Sequence, residues 1–205
     1  MPSPALSQTQ AIIVSISVGT IPVPIKDASD VQTLAAGKYL ELVKKDHWEW
    51  ARRPSSIDAV CIVATDWQDR LLLVEQYRYP LDARTIELPA GLVGDDPGTP
   101  DEAILAAAKR ELEEETGYTS QSWRVIGPFA SSAGMTSETP TLVQARDCRK
   151  TAPGGGVDDE DITPHAVATR EVWHWVRSKQ QNGFVTDARV LAALAIVAGL
   201  ADRPA

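Results

Sequence analysis

The stretch KRELEEETGY, Lys109 to Tyr118, places four glutamates, Glu111 and Glu113 through Glu115, within five residues. A helix brings residues i, i+3 and i+4 to one face. Read as helix, the stretch sets Glu111, Glu114 and Glu115 together and turns Glu113 elsewhere. Three convergent carboxylates repel one another unless a cation lies between them. The run also falls at the helix C-terminus, where the macrodipole disfavours negative charge. A solvated acidic face is the commoner origin of such a run, and a cation site is the other. Hard divalent ions such as Mg2+, with Mn2+ as the alternative, take oxygen ligands of this kind and favour substrate phosphates as co-ligands. On the second reading the chain is a metal-assisted phosphoryl or pyrophosphoryl hydrolase.

Working outward, Thr99, Pro100 and Glu102 form a capping box with proline at the first helical position. Residues 103–112 are strong helix formers apart from Ile104, and Gly117 suits the left-handed position just past a helix end. The spacing predicts a helix over 100–116. Before it, Val60 to Ala64 and Leu71 to Gln76 read as a hairpin turning at Asp66 to Asp69, and TIELPAG as a further short strand. After it, WRVIGPFASSAG and ETPTLVQARD read as strands, TAPGGGVDDED as a Gly- and Asp-rich loop, and HAVATREVWHWV as a strand entering a helix. TDARVLAALAIVAGLADR reads as a terminal helix capped by Asp187 or Thr186. The pattern is mixed α/β (α+β), with strands outnumbering helices.

A length of 205 residues allows one domain with a small appendage, and 43% hydrophobic residues is enough to pack a core. Cys61 and Cys148 do not form a disulfide framework; Cys61 lies in an apolar run, as a buried thiol in a reducing compartment would. Ala11 to Ile21 is apolar but too short to span a bilayer, and Val14, Ile16 and Val18 alternate as in a strand. The expectation is a soluble, cytoplasmic protein with no membrane partner. The net charge is -8. Between Glu87 and Tyr118 nine acids face only Lys109 and Arg110. Acidity this concentrated argues against nucleic acid as a direct partner.

The wider spacing resembles the Nudix box, Gly-x5-Glu-x7-Arg-Glu-U-x-Glu-Glu-x-Gly-U, where U is a bulky apolar residue. Glu102, Arg110, Glu111, Leu112, Glu114, Glu115, Gly117 and Tyr118 fall on its positions, with Tyr118 taken as U. Ten residues rather than five separate Gly91 from Glu102, which alters the loop into the helix and leaves the rest of the box intact. LLLVEQYRYPLDARTIELPAGL and GFVTDARVLAALAIV resemble the flanking segments of ADP-ribose pyrophosphatases, and Trp48-Glu49 with Arg52-Arg53 resembles their N-terminal segment. The resemblance covers about Gly37 to Gly199.

The resemblance implies a Nudix α/β/α sandwich with a mixed sheet and a small N-terminal β domain. It places a β-rich dimerisation segment at 1–56, swapped across a homodimer, and the hydrolase domain at 57–205. It also implies roles. Glu111, Glu114 and Glu115, with the Ala90 carbonyl, would hold the metal. Arg110 would orient the glutamates, paired with Glu102. Arg78 and Arg53 would reach substrate oxygens, Trp48 would stack on adenine, and Glu87 would meet a ribose hydroxyl. These have bland counterparts: Trp48 as a core or dimer-interface aromatic, Arg78 as a surface ion pair, Glu87 as an acceptor for a backbone amide. Glu160 in GGGVDDEDI is the candidate general base, with Asp158, Asp159 and Asp161 as competitors. Gly134 stands where the subfamily has its Pro-Gly, but Ala133 replaces the proline. The activity implied is hydrolysis of ADP-ribose to AMP and ribose 5-phosphate, or of a related nucleoside-diphosphate sugar. The alternatives are another nucleoside diphosphate derivative, such as NADH or a dinucleoside polyphosphate, and a non-catalytic domain that binds ADP-ribose.

Overall fold

The computed structural model describes residues 30–53, 58–94, 103–157 and 160–199. The predicted hairpin forms, as β4 (Ala59–Asp66) and β5 (Arg70–Arg78). Its turn is held by Asp66, whose buried carboxylate accepts the Gln68 and Arg70 amides, each at 2.9 Å. These strands lie within a nine-stranded mixed sheet. Its main path is β12 (Val185–Thr186), β6 (Ala83–Glu87), β5, β4, β10 (Thr141–Lys150) and β8 (Tyr118–Thr119). Off that path, β11 (Thr163–Ala168) pairs with β5, β7 (Ala90–Leu92) with β4, and β9 (Ser122–Pro128) with β10. Only β4–β10 and β12–β6 run parallel among the described strands.

β4 is buried on both faces, which explains its unbroken apolar run. Val60, Ile62 and Ala64 face α1 (Ile104–Glu111), meeting Ala107, Ala108 and Leu112. Cys61 and Val63 face α2 (Val172–Gln181) and α3 (Arg189–Val197), meeting Val172, Val176, Val190 and Ala193. The expected α/β/α sandwich is the fold. Asp187 starts α3 by accepting the Arg189 amide at 2.7 Å, and the Arg189 guanidinium closes on the same carboxylate. No helix among the described residues is long and apolar enough to cross a membrane.

A separate antiparallel sheet of β1 (Gln32–Ala36), β2 (Glu41–Lys45) and β3 (Trp48–Arg52) precedes this body. Among its strand residues only Val43 is fully buried. It is tied to the body at Ala51, whose amide bonds the Met135 carbonyl at 2.9 Å and whose carbonyl accepts the Ser137 amide at 3.2 Å. The strand expected near Val14 lies outside the described residues. So do the helix-start signals Thr99, Pro100 and Glu102, and the competitors Asp158 and Asp159. The single helix expected over 100–116 is corrected at its far end. The described α-helix covers Ile104–Glu111, and Leu112–Thr116 continues as a π-helical turn.

Candidate active site

The π turn carries the glutamate run. Leu112, fully buried in the core beneath α1, anchors its start, and Gly117 at φ 73° ends it. A π turn holds an extra residue within its hydrogen-bonded loop, a geometry frequent at functional sites. Here it leaves Glu111 and Glu115 buried, Glu114 half-buried and Glu113 exposed. The end of this helix ought to resist negative charge, but its carbonyls are well supplied with donors. The Gly155 amide bonds the Glu115 carbonyl at 2.9 Å, and the Gly156 amide bonds that of Glu114 at 3.0 Å. The Lys150 ammonium donates to the Thr116 carbonyl at 3.1 Å. The role of Lys150 is invisible in the sequence, where it is one lysine closing a strand.

Strand β7 serves the turn with three consecutive residues. The Ala90 amide donates to Glu115 Oε2 at 3.0 Å. Gly91 packs so closely on Glu111 that a Cβ there would overlap its carboxyl group. The Leu92 carbonyl accepts from Arg110 Nη2 at 3.2 Å. Arg110 Nη1 lies 2.8 Å from Glu111 Oε1 and 3.1 Å from Glu114 Oε2, so one guanidinium nitrogen sits as a cation between two of the carboxylates. Burial pushes the Glu115 carboxyl up to about 8, and the charges of Glu111 and Glu160 push the same way against the Ala90 amide and Arg78. Among the described residues no three acidic, imidazole or thiol groups stand together as a closed ligand set. The three glutamates share a turn with their oxygens divided between Arg110 and Ala90. The donor set still suits a hard divalent ion: oxygen ligands, one cation already bridging two of them, and a third left buried and repelled. Gly91→Ala is expected to displace the Glu111 carboxylate and weaken divalent-ion affinity about tenfold or more. Calorimetric titration with Mn2+ measures it, and unchanged affinity would rule out that role for Gly91.

The other candidates are distributed more widely. Arg78 and Glu87, separately expected to meet substrate, meet each other in a bidentate pair with both bonds at 2.7 Å. Thr85 Oγ1 donates to Glu87 Oε1 at 2.6 Å. Glu87 is buried, whereas the Arg78 guanidinium reaches the surface and its charge is felt at Glu115. Arg53 Nη2 bonds Glu138 Oε1 at 3.1 Å, while its buried Nε has no partner among the described residues. Gly134 lies in the same 131–138 segment, with nothing near enough to require a glycine. Trp48 stands at the tip of the β2–β3 hairpin, exposed, with His47 as its ring neighbour; no described contact brings it to the glutamates. Glu160 lies next to the glutamate turn. Its Oε2 accepts the Val157 amide at 3.0 Å, and its side chain packs where a Cβ on Gly156 would stand.

The chain is similar to known proteins over much of its length. Residues 56–151 match the NUDIX domain family. The chain is similar to an ADP-ribose pyrophosphatase of Mycobacterium tuberculosis, 34% identical over 149 residues, spanning 70% of this chain and 68% of that one. It is also similar to a methanol dehydrogenase activator of Bacillus methanolicus, 35% identical over 106 residues; here the match takes in 51% of this chain and about half, 54%, of the relative. Among solved structures, one titled as an ADP compounds hydrolase superposes with a TM-score of 0.65 at 22% identity. It covers 85% of this chain and 92% of its own, a likeness of fold.

Proposed function

From the premise that this chain belongs to the Nudix family, we propose that it hydrolyses the pyrophosphate bond of ADP-ribose or a related nucleoside-diphosphate sugar, with Mg2+ or Mn2+ as cofactor. The observation that carries the reading is the buried glutamate turn, served residue by residue by Ala90, Gly91 and Leu92.

Glu111, Glu114 and Glu115 would hold the metal, and the Ala90 carbonyl is a further candidate ligand. Bound there, a divalent ion would neutralise the pyrophosphate and lower the pKa of the attacking water. Arg110 sets the direction of the Glu111 and Glu114 carboxylates. Glu160 takes the proton from water as general base. Arg78, steadied by Glu87, and Arg53, held by Glu138, offer guanidinium donors to phosphate or ribose oxygens. Trp48 stacks on the base when a second copy brings a hairpin tip to the site. That arrangement belongs with a homodimer built through residues 1–56, and the exposed Leu34, Tyr39, Leu40 and Leu42 give it an apolar surface. The hydrolase domain is then 57–205, acting in the cytoplasm on small molecules. Nucleic acid is no partner for so acidic a chain.

Another nucleoside diphosphate derivative is the second reading, favoured by Ala133 in place of proline and by the long Gly91 to Glu102 interval. Hydrolysis of ADP-ribose, ADP-glucose, NADH and a dinucleoside polyphosphate decides between them. ADP-ribose is expected to be cleaved fastest, to AMP and ribose 5-phosphate. Activity is expected to vanish in excess chelator and return with Mg2+. Faster cleavage of NADH would move the assignment to the second reading, and undiminished activity in chelator would remove the metal from the mechanism.

A further inference from the structure

We propose that Arg84 is a positioning residue for Glu160, acting through the side chain of Asp161; the proposal rests on the assignment of Glu160 as general base. Arg84 lies on β6, outside the glutamate turn. Its Nε donates to Glu75 Oε1 at 2.8 Å and its Nη1 to Asp161 Oδ2 at 2.7 Å. Glu75 is the fixed point. Its other oxygen accepts from Lys179 at 2.8 Å and contacts His165 Nε2 at 3.1 Å. Lys179 and His165 are themselves packed on the Trp175 ring. Burial alone would raise the Glu75 carboxyl, but the three donors hold it below its ordinary value, so it stays ionised and aims Arg84.

An isolated surface ion pair contributes little, because two long side chains must be ordered to make it. Here the Arg84 fork is already ordered by Glu75, and only the short Asp161 side chain remains to be fixed. Asp161 follows Glu160 directly, and β11 begins two residues later, at Thr163, paired with Glu75. In extended chain, neighbouring side chains point to opposite sides. Asp161 is pinned outward on β6, whereas Ile162 is buried. A Cβ on Gly156 would meet both Glu160 and Ile162, so those two side chains lie over Gly156, Glu160 exposed and Ile162 buried, and Gly156 in turn bonds the Glu114 carbonyl of the glutamate turn. The Asp161–Arg84 bond therefore turns Glu160 toward the glutamate turn.

The test compares wild type, Arg84→Gln, Asp161→Asn and the double variant. Asp161→Asn is the clean probe, since it leaves Glu75 and its other donors in place. On the substrate cleaved best, each single variant is expected to lower kcat about ten- to a hundredfold, the cost of a small misplacement, with KM held within about twofold. The double variant is expected to be no worse than either single one. Amide hydrogen exchange at residues 160–162 is expected to speed up in all three. Unchanged kcat in Asp161→Asn overturns the proposal, as do losses that multiply in the double variant. Unchanged exchange at 160–162 overturns the tether itself, and that readout needs no substrate. If the wild type cleaves nothing, the proposed reaction fails and takes the positioning role with it, even where exchange still reveals the tether.

Discussion

Glu115→Gln is expected to lower turnover about 10³-fold, on the scale seen when a central catalytic group is removed, and to leave the metal-free protein at least as stable as wild type near pH 8. The glutamine keeps the shape and can still accept the Ala90 amide. It removes a buried charge that Glu111 and Glu160 repel. The sign follows from proton linkage. Glu115 titrates at about 8 in the folded chain against an ordinary 4.5, so between those values the folded state holds a proton that the unfolded state has lost. Stability in chelator then falls as pH rises through this window. The variant should lack that part of the slope. Thermal melts in chelator at pH 6 and pH 8, beside steady-state kinetics with Mg2+, test both halves. A variant that retains most of its turnover would remove Glu115 from the chemistry. One that melts well below wild type in chelator would show that the carboxylate supports the fold.

The second large effect is on stability. Gly117→Ala is expected to cost about 3 kcal/mol, from left-handed strain of about 1–2 and overpacking of about 1–3. Gly117 sits at φ 73°, and a Cβ there would run into the Ala152 carbonyl and approach the Gly154 nitrogen to 2.8 Å. Its own carbonyl accepts the amides of Thr151 and Ala152, so the backbone cannot retreat without breaking the junction between the helix end and the glycine loop. For a chain of this size the melting temperature should drop by roughly 6–12 °C. A drop of no more than a degree or two would mean that the junction yields easily.

The parts legible in the sequence are those whose physics is local. The β4–β5 hairpin, the existence of α1 and the left-handed Gly117 each depend on residues a few positions apart. The glutamate turn was legible as a face, but its π geometry was not. Its carbonyls are met by donors distant in sequence, Lys150 at the end of β10 and Gly155 and Gly156 in the loop beyond it. Arg78 and Glu87 carry no mark in sequence that they are partners; the β5–β6 register sets Arg78 opposite Ala83 and Glu87 opposite Val74, and the long Arg78 side chain spans the offset. Arg53 and Glu138, 85 positions apart, meet because β3 docks beside Thr136, a contact that no periodicity announces. The expectation for Ala90 concerns its carbonyl; its amide has a further partner, Glu115, which the sequence does not announce.

The docking of β3 has a consequence for how the molecule fails on warming. The small sheet keeps only Val43 fully out of water, and its bonds to Met135 and Ser137 are two backbone contacts at one residue. In a single protomer, outside the proposed homodimer, a segment with so little buried area detaches at temperatures where the main core is intact. Arg53, one residue beyond β3, leaves with it. On its assignment to substrate, heat inactivation should therefore precede calorimetric melting, beginning as a rise in KM while the glutamate turn is still folded.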